Sequence, residues 1–145
     1  MQQLAALLAR RTPSGLYRLQ TRVPAARLAR RFAASGWHAG LIDGRAVTAK
    51  PALLGALAAA LRFPAYFGAN WDALADSLTD LSWLPAPGYA LLIDHAAPLI
   101  DHAPEDWAVA SDILLDAAGW WQARGVGFYV LLRGTGSLAP NIPAL

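Results

Sequence analysis

Three carboxylates follow one another at intervals of four residues in the middle of the chain. Asp72, Asp76 and Asp80 would form one line along a helix, because residues four apart share a helix face. Like charges at that spacing destabilise a helix by about 0.2–0.5 kcal/mol per pair. No Lys or Arg occurs between Arg62 and Arg124 to offset this cost. The row indicates either a solvated helix face or a docking surface for a cationic partner.

Side chains for other chemistry are sparse. The absence of Cys excludes thiol nucleophiles, disulfides and cysteine-ligated zinc. No serine lies in a nucleophile-elbow context and there is no glycine-rich phosphate loop. The sequence therefore predicts a protein that is not an enzyme and that has no cofactor or metal. The repeated Asp-His pair, Asp94–His95 and Asp101–His102, leaves a metal site with two histidines and two carboxylates as an alternative.

Charge is divided along the sequence. Residues 1–62 hold ten basic residues and one acidic residue, whereas residues 63–145 hold two basic and nine acidic residues. The acidic half indicates a basic partner, since a surface of one sign attracts the other. The basic half allows an alternative function, a nucleic-acid-binding module in which Trp37 stacks on a base and four arginines contact phosphates: Arg22, Arg27, Arg30 and Arg31.

The elements that must position the acidic row follow from hydrophobic periodicity. Strands alternate with helices, which implies right-handed parallel crossovers and an α/β fold with a parallel sheet flanked by helices. The segment between Asp94 and Pro104, which contains Pro98, is predicted to be a loop. Strands are predicted at 16–20, 38–43, 89–94 and 126–132, and helices at 24–35, 50–62, 71 to about 80, and 104 to about 124.

An aromatic loop precedes the acidic row. Residues 63–70 read FPAYFGAN, and Pro64 and Gly68 are residues that end a helix. Asn70 is suited to cap the next helix, whose apolar stripe starts at Trp71. Tyr66 and Phe67 would supply rigid aromatic area beside the carboxylates, which is typical of protein-binding surfaces.

Residues 63–81, FPAYFGANWDALADSLTDL, resemble the central segment of the barstar family, intracellular inhibitors of secreted barnase-type ribonucleases. An aromatic pair, Gly, Asn and two Asp four residues apart follow a Pro in that order. The resemblance extends over about residues 39–134, through LIDGRAV, YALLID and FYVLL. It implies a barstar-like parallel sheet of three core strands, in a single domain over 1–145. Residues 1–38 form an N-terminal extension outside the match, whose strand and helix are expected to add a fourth strand.

The resemblance also implies a function, a stoichiometric inhibitor that blocks the active site of a secreted, basic, barnase-type ribonuclease. Tyr66 would pack on the catalytic histidine, Asp72 would pair with active-site bases, and Asp76 would be the main phosphate mimic. A barstar-fold interaction protein without a nuclease target is a further alternative. The implied partner-binding residues are Tyr66, Phe67, Gly68, Ala69, Asn70, Trp71, Asp72, Ala73, Asp76 and Asp80.

Four positions depart from the family pattern. Ala69 stands where the family has an acidic residue, and Trp71 stands where it has Leu. Trp120 and Arg124 occupy positions late in the long helix that are acidic in the family. These differences concern the expected binding surface, so the target nuclease need not be barnase itself.

Composition indicates where the protein works. The hydrophobic fraction is 56%, but alanine supplies 32 of those residues, and no apolar run approaches the roughly 20 residues of a spanning helix. The positive charges near the N-terminus follow the apolar patch at 4–9, the reverse of a secretory signal. We therefore expect a cytoplasmic protein with no membrane partner. We also expect the protein to be monomeric when free and, apart from the nucleic-acid alternative above, to have no nucleic-acid partner.

Overall fold

The computed structural model describes residues 2–145. Within them the four strands are β1 (Gly15–Arg18), β2 (His38–Asp43), β3 (Gly88–Asp94) and β4 (Gly127–Leu132). The same described residues contain six α-helices: α1 (Gln2–Leu8), α2 (Ala25–Ala34), α3 (Lys50–Ala60), α4 (Trp71–Leu78), α5 (Ala96–His102) and α6 (Pro104–Gln122). A 3-10 turn, Gly44–Ala46, follows β2.

The strands form one parallel sheet in the order β1-β4-β3-β2. β3 lies between β2 and β4, and all of its residues except Asp94 are buried. Every residue of β4 is buried as well, which is typical of strands covered on both faces. The predicted α/β fold is thus confirmed, including the fourth strand from the N-terminal extension, which pairs with β4.

Helices cover both faces of the sheet. Successive residues of a strand point to opposite faces, and β3 shows this alternation: Leu91 and Ile93 belong to one hydrophobic cluster, Ala90 and Leu92 to the other. The first cluster is completed by α3, α4, α5 and α6. The second is completed by α1 and α2. The candidate site therefore lies on helices packed against the first face.

Two helices were not predicted. The segment expected to be a loop contains α5, because Pro98 is its third residue, where the peptide nitrogen has no intrahelical acceptor to lose. α1 has only seven residues, too few for a clear period, yet it buries Leu4 and Leu7. The N-terminal extension therefore contains a strand and two helices, not a strand and one helix.

α6 is the longest helix, with 19 residues. It begins with Pro104, whose missing N–H costs nothing there, and Glu105 and Asp106 face the positive end of the helix dipole. Among residues 2–145, no helix is both long and apolar enough to cross a membrane.

Trp37 is not available to stack on a base, so this part of the nucleic-acid alternative is wrong. The residue is 7% exposed. Its indole stacks on Tyr129, with ring centroids 5.8 Å apart. A Cβ placed on Gly88 or Gly127 would lie 2.4 or 2.5 Å from the indole, so glycine is required at both positions. The sequence did not show this enclosure, because both glycines are distant along the chain.

Candidate functional site

The loop between α3 and α4 is anchored by aromatic contacts on its inner side. Phe63 meets Phe67 edge to face at 4.9 Å between ring centroids, and it meets Trp83 in the same way at 5.8 Å. The indole N–H of Trp83 donates a hydrogen bond to the Leu61 carbonyl oxygen over 3.1 Å. The sequence did not identify Trp83 as a support of this loop, since it lies beyond α4.

Tyr66 and Phe67 have opposite roles in this loop. Phe67 is half-buried and packs against the core. Tyr66 is 80% exposed, the highest value among the exposed large hydrophobic side chains of residues 2–145. The aromatic pair expected to lie together on the surface is therefore divided, and the Tyr66 ring is the one free to contact a partner.

Two residues at the ends of the loop adopt left-handed backbone conformations without being glycine. Arg62 has φ 53° and Ala69 has φ 51°. Such conformations cost on the order of 1–3 kcal/mol each and persist only where the surrounding structure fixes them. Arg62 directly precedes Phe63, which packs on Phe67, and Ala69 directly precedes Asn70, the cap of α4, so both residues lie beside contacts that can hold them.

Asn70 caps α4 as the sequence predicts. Its Oδ1 accepts a hydrogen bond from the Ala73 N–H over 2.7 Å, which satisfies one of the free donors at the helix start. Gly68 lies against this cap, because an added Cβ would be 3.3 Å from Asn70 Nδ2 and 3.6 Å from the Ala73 Cβ. A side chain at position 68 would crowd the capping residue.

α4 buries one side and exposes its carboxylates. Leu74 and Leu78 are fully buried, while Asp72, Asp76 and Asp80 are exposed. The helix is shorter than predicted and ends at Leu78, with Thr79 as its C-cap. Asp80 therefore lies beyond the helix, so only Asp72 and Asp76 share a helix face one turn apart.

The three carboxylates are not neutralised by the protein itself. The ion pairs within residues 2–145 are Arg45–Asp43 and Arg133–Asp94. In the first pair, the side-chain hydrogen bond from Arg45 lowers the pKa of Asp43 to about 2. By contrast, no cationic side chain within residues 2–145 lies within 4.0 Å of the carboxylates of Asp72, Asp76 and Asp80. Their negative charge remains available to an external cation.

Lys50 lies next to the site, and the sequence alone did not indicate this position. Its ammonium nitrogen lies 5.0 Å from the centre of the half-buried Trp71 ring, a cation–π distance. The two residues are twenty-one positions apart, and each is the first residue of its helix, α3 and α4. A basic residue from the first half of the chain thus lies at the start of the acidic helix.

The end of α6 borders the other end of α4. The Trp121 indole N–H donates to the Leu78 carbonyl oxygen over 2.7 Å. Trp120 meets Trp121 edge to face and is half-buried. The Arg124 guanidinium carbon lies 3.5 Å from the centre of the Trp120 ring. The two positions that depart from the family's acidic pattern therefore form one stacked cation–aromatic unit.

The alternative metal site is not supported. No group of three or more metal-ligating side chains occurs in residues 2–145. Asp94 instead forms a two-point ion pair with Arg133, at 2.8 and 2.9 Å. His102 is the last residue of α5, and His95 precedes its first residue with φ 50°.

Comparison with known proteins gives a family match that covers these segments. A family model described as Barstar (barnase inhibitor) matches residues 37–133. The match contains the whole loop, α4 and the Trp120–Arg124 unit, and it begins after α1, β1 and α2. None of the curated proteins compared with the chain matches it.

Proposed function

The chain belongs to the barstar family, and from that membership we propose that it is a stoichiometric inhibitor of a small, basic, secreted ribonuclease of the barnase type. It acts by binding and not as an enzyme. The surface formed by Tyr66–Ala73, Asp76 and Asp80 blocks the nuclease active site. The family's description as a barnase inhibitor supports the class of function, and the geometry of α4 supports the choice of surface.

One observation carries the proposal. Asp72, Asp76 and Asp80 are exposed, and within residues 2–145 none of them has an ion-pair partner, although the first half of the chain holds ten basic residues. A ribonuclease active site must attract RNA phosphates and is therefore lined by cations. Carboxylates from α4 take the place of those phosphates and form charge-assisted hydrogen bonds with the same cations.

The residues of the surface have distinct roles in this proposal. Asp76 is the central phosphate mimic, because the half-buried Ala73 and Ala75 beside it leave room for close approach. Asp72 pairs with further active-site bases, and Tyr66 packs on the catalytic histidine. Gly68, Ala69 and Asn70 give the loop its shape, and Phe67 and Trp71 hold it from beneath.

The biological setting follows from the function. A cell that makes a secreted ribonuclease must protect its own RNA until export, and an inhibitor retained inside does this. We therefore propose an immunity protein of a bacterial cytoplasm, monomeric until it meets the nuclease. The barstar fold without a nuclease target, and the nucleic-acid-binding module, are the alternatives that an experiment must exclude.

A pull-down separates these alternatives. Barnase-type ribonucleases are immobilised and the chain is applied in parallel with its Asp76→Ala variant. We expect at least one nuclease to retain the unchanged chain and to lose most of the variant. Immobilised RNA is tested in parallel. If RNA retains the chain and no nuclease does, the nucleic-acid alternative is established. If neither RNA nor any nuclease retains the chain, the protein has the barstar fold without the proposed inhibitory function.

A further inference from the structure

A crevice of about 740 Å³ opens at the carboxyl ends of three neighbouring strands. Its walls are the chain segments that leave β1, β3 and β4: residues 19–22, 94–95 and 133–136. None of these residues belongs to the loop or to α4, so the crevice is separate from the proposed nuclease surface. Its volume lies within the range of about 300–1,000 Å³ that is typical of small-molecule sites.

The topology of the sheet creates this crevice. The segment after β1 leads to α2, which packs on one face, whereas the segment after β3 leads to α5 on the opposite face. β4 lies between the two strands. The connections therefore diverge above β4, and in open α/β sheets such a point, outside the carboxyl ends of the strands, is where ligands bind.

Arg133 braces the walls. Its guanidinium holds both oxygens of Asp94 on the β3 side, and its Nη1 donates to the carbonyl oxygens of Thr21 and Val23 on the β1 side. The side chain is 13% exposed. One arginine from β4's end thus links both neighbouring segments, so the crevice is formed before any ligand arrives.

Basic residues line the crevice. Arg18, Arg22 and Arg133 line the crevice, with Asp94 as the single acidic residue. Arg133 is engaged by its internal bonds, while Arg22 is exposed. Arg18 uses its Nε on the Ile142 carbonyl oxygen, and its terminal nitrogens donate to no other group in residues 2–145.

The backbone after β4 adds further donors. The N–H groups of Gly134, Thr135 and Gly136 donate no hydrogen bond to any other of residues 2–145. Gly134 and Gly136 have φ 66° and 59°, the left-handed region that glycine adopts without strain. A Cβ at Gly136 would meet nothing within 4 Å, so this segment borders open space. Free peptide N–H groups in such turns form anion-binding concavities.

We propose that this crevice binds a small phosphomonoester. The phosphoryl dianion is held by Arg18, Arg22 and the N–H groups of residues 134–136, since guanidinium groups match phosphate oxygens in two-point hydrogen bonds. The crevice is much larger than a phosphate ion, so the organic part of the ester lies within it, beside Leu19 and His95. This site adds a ligand to the proposed inhibitor and does not depend on that function.

The test is a titration of the ¹⁵N-labelled chain with ribose 5-phosphate, ribose and inorganic phosphate, read at the amide signals of Gly134 and Gly136. We expect saturable shifts of both signals with ribose 5-phosphate. Inorganic phosphate should bind at least about fivefold more weakly, because it lacks the organic part that the crevice accommodates, and ribose should cause no saturable shift, because it lacks the phosphoryl group. Absence of saturable shifts, or equal affinity for inorganic phosphate, would overturn the proposal.

Matched variants assign the binding to the crevice. Arg22→Ala removes an exposed lining residue, and Arg27→Ala removes an exposed arginine of α2 that does not line the crevice. We expect about fivefold or greater loss of ribose 5-phosphate affinity for Arg22→Ala and less than about twofold for Arg27→Ala. Equal losses would show unspecific charge attraction and contradict the site.

Discussion

A Cβ atom placed on Gly40 would lie 2.6 Å from the carbonyl oxygen of Ala60, so the backbone of β2 and the carboxyl end of α3 touch directly. His38 Nε2 lies 2.7 Å from the same oxygen. A carbonyl oxygen only accepts, so this nitrogen carries the proton. These two contacts fix the point at which the chain leaves α3 and enters the loop that bears Tyr66.

Gly40→Ala should destabilise the fold. The added methyl group cannot fit beside the Ala60 backbone, and overpacking of this kind costs about 1–3 kcal/mol. Gly55→Ala is the matched control, since Gly55 is exposed within α3 and an added Cβ there meets nothing within 4 Å. It should stabilise by about 0.5–1 kcal/mol. The free energy of unfolding of both variants is measured in urea. If Gly40→Ala is as stable as the unchanged chain, the close contact between Gly40 and Ala60 is contradicted.

Asp76→Ala should weaken nuclease binding by more than about 2 kcal/mol, whereas Asp80→Ala should cost less than about 1 kcal/mol. Asp76 is expected to enter the active site, where its loss leaves partner cations buried and unpaired. Asp80 lies beyond the end of α4 and is expected at the rim. Calorimetric titration of both variants measures the difference.

Folding provides the control for this comparison, since neither carboxylate belongs to the buried side of α4. Both variants should unfold at the temperature of the unchanged chain. If the two variants lose equal binding energy at unchanged thermal stability, the interface has been assigned to the wrong residues.

Tyr66→Ala and Phe67→Ala should separate binding from stability. Tyr66 is exposed and contributes little to folding, so its loss should weaken binding by about 2 kcal/mol or more and leave the unfolding temperature unchanged. Phe67 packs on Phe63, so its loss should lower stability by about 1–3 kcal/mol. Differential scanning calorimetry beside a binding titration tests both. Lower stability for Tyr66→Ala would contradict its outward position.

The features of the site that the sequence predicts are those that depend on neighbouring residues in the chain. The spacing of Leu74 and Leu78 and the capping residue Asn70 are local signals, and the structure has both features. The contacts of Trp83 with Leu61, and of Lys50 with Trp71, join residues about twenty positions apart. No local pattern records such a contact, so the supports of the loop could not be predicted.

The incorrect predictions have a related origin. Pro98 favours a loop between Asp94 and Pro104, but the effect of a proline depends on its position within a helix, and only the structure shows that Pro98 is the third residue of α5. The burial of Trp37 depends on Gly88 and Gly127 in two other strands. The sheet was easier to predict, because β3 and β4 are apolar along nearly their whole length.

Association with the nuclease should be fast at low salt and slower at high salt. Residues 63–145 hold nine acidic residues and two basic residues. The resulting negative charge attracts a cationic enzyme over a distance. The screening length falls from about 10 Å at 0.1 M salt to about 3 Å at 1 M. Stopped-flow mixing should show at least about a tenfold fall in the association rate over this range. A constant rate would exclude the acidic surface as the docking site.

Inhibition of RNA cleavage tests the central claim most directly. Increasing amounts of the chain are added to a fixed amount of each of several barnase-type ribonucleases, and the initial rate of cleavage is measured. For at least one nuclease, activity should fall linearly to zero at one equivalent of the chain, with Asp76→Ala far less effective. If no nuclease is slowed at micromolar concentrations of the chain, the proposed function is wrong.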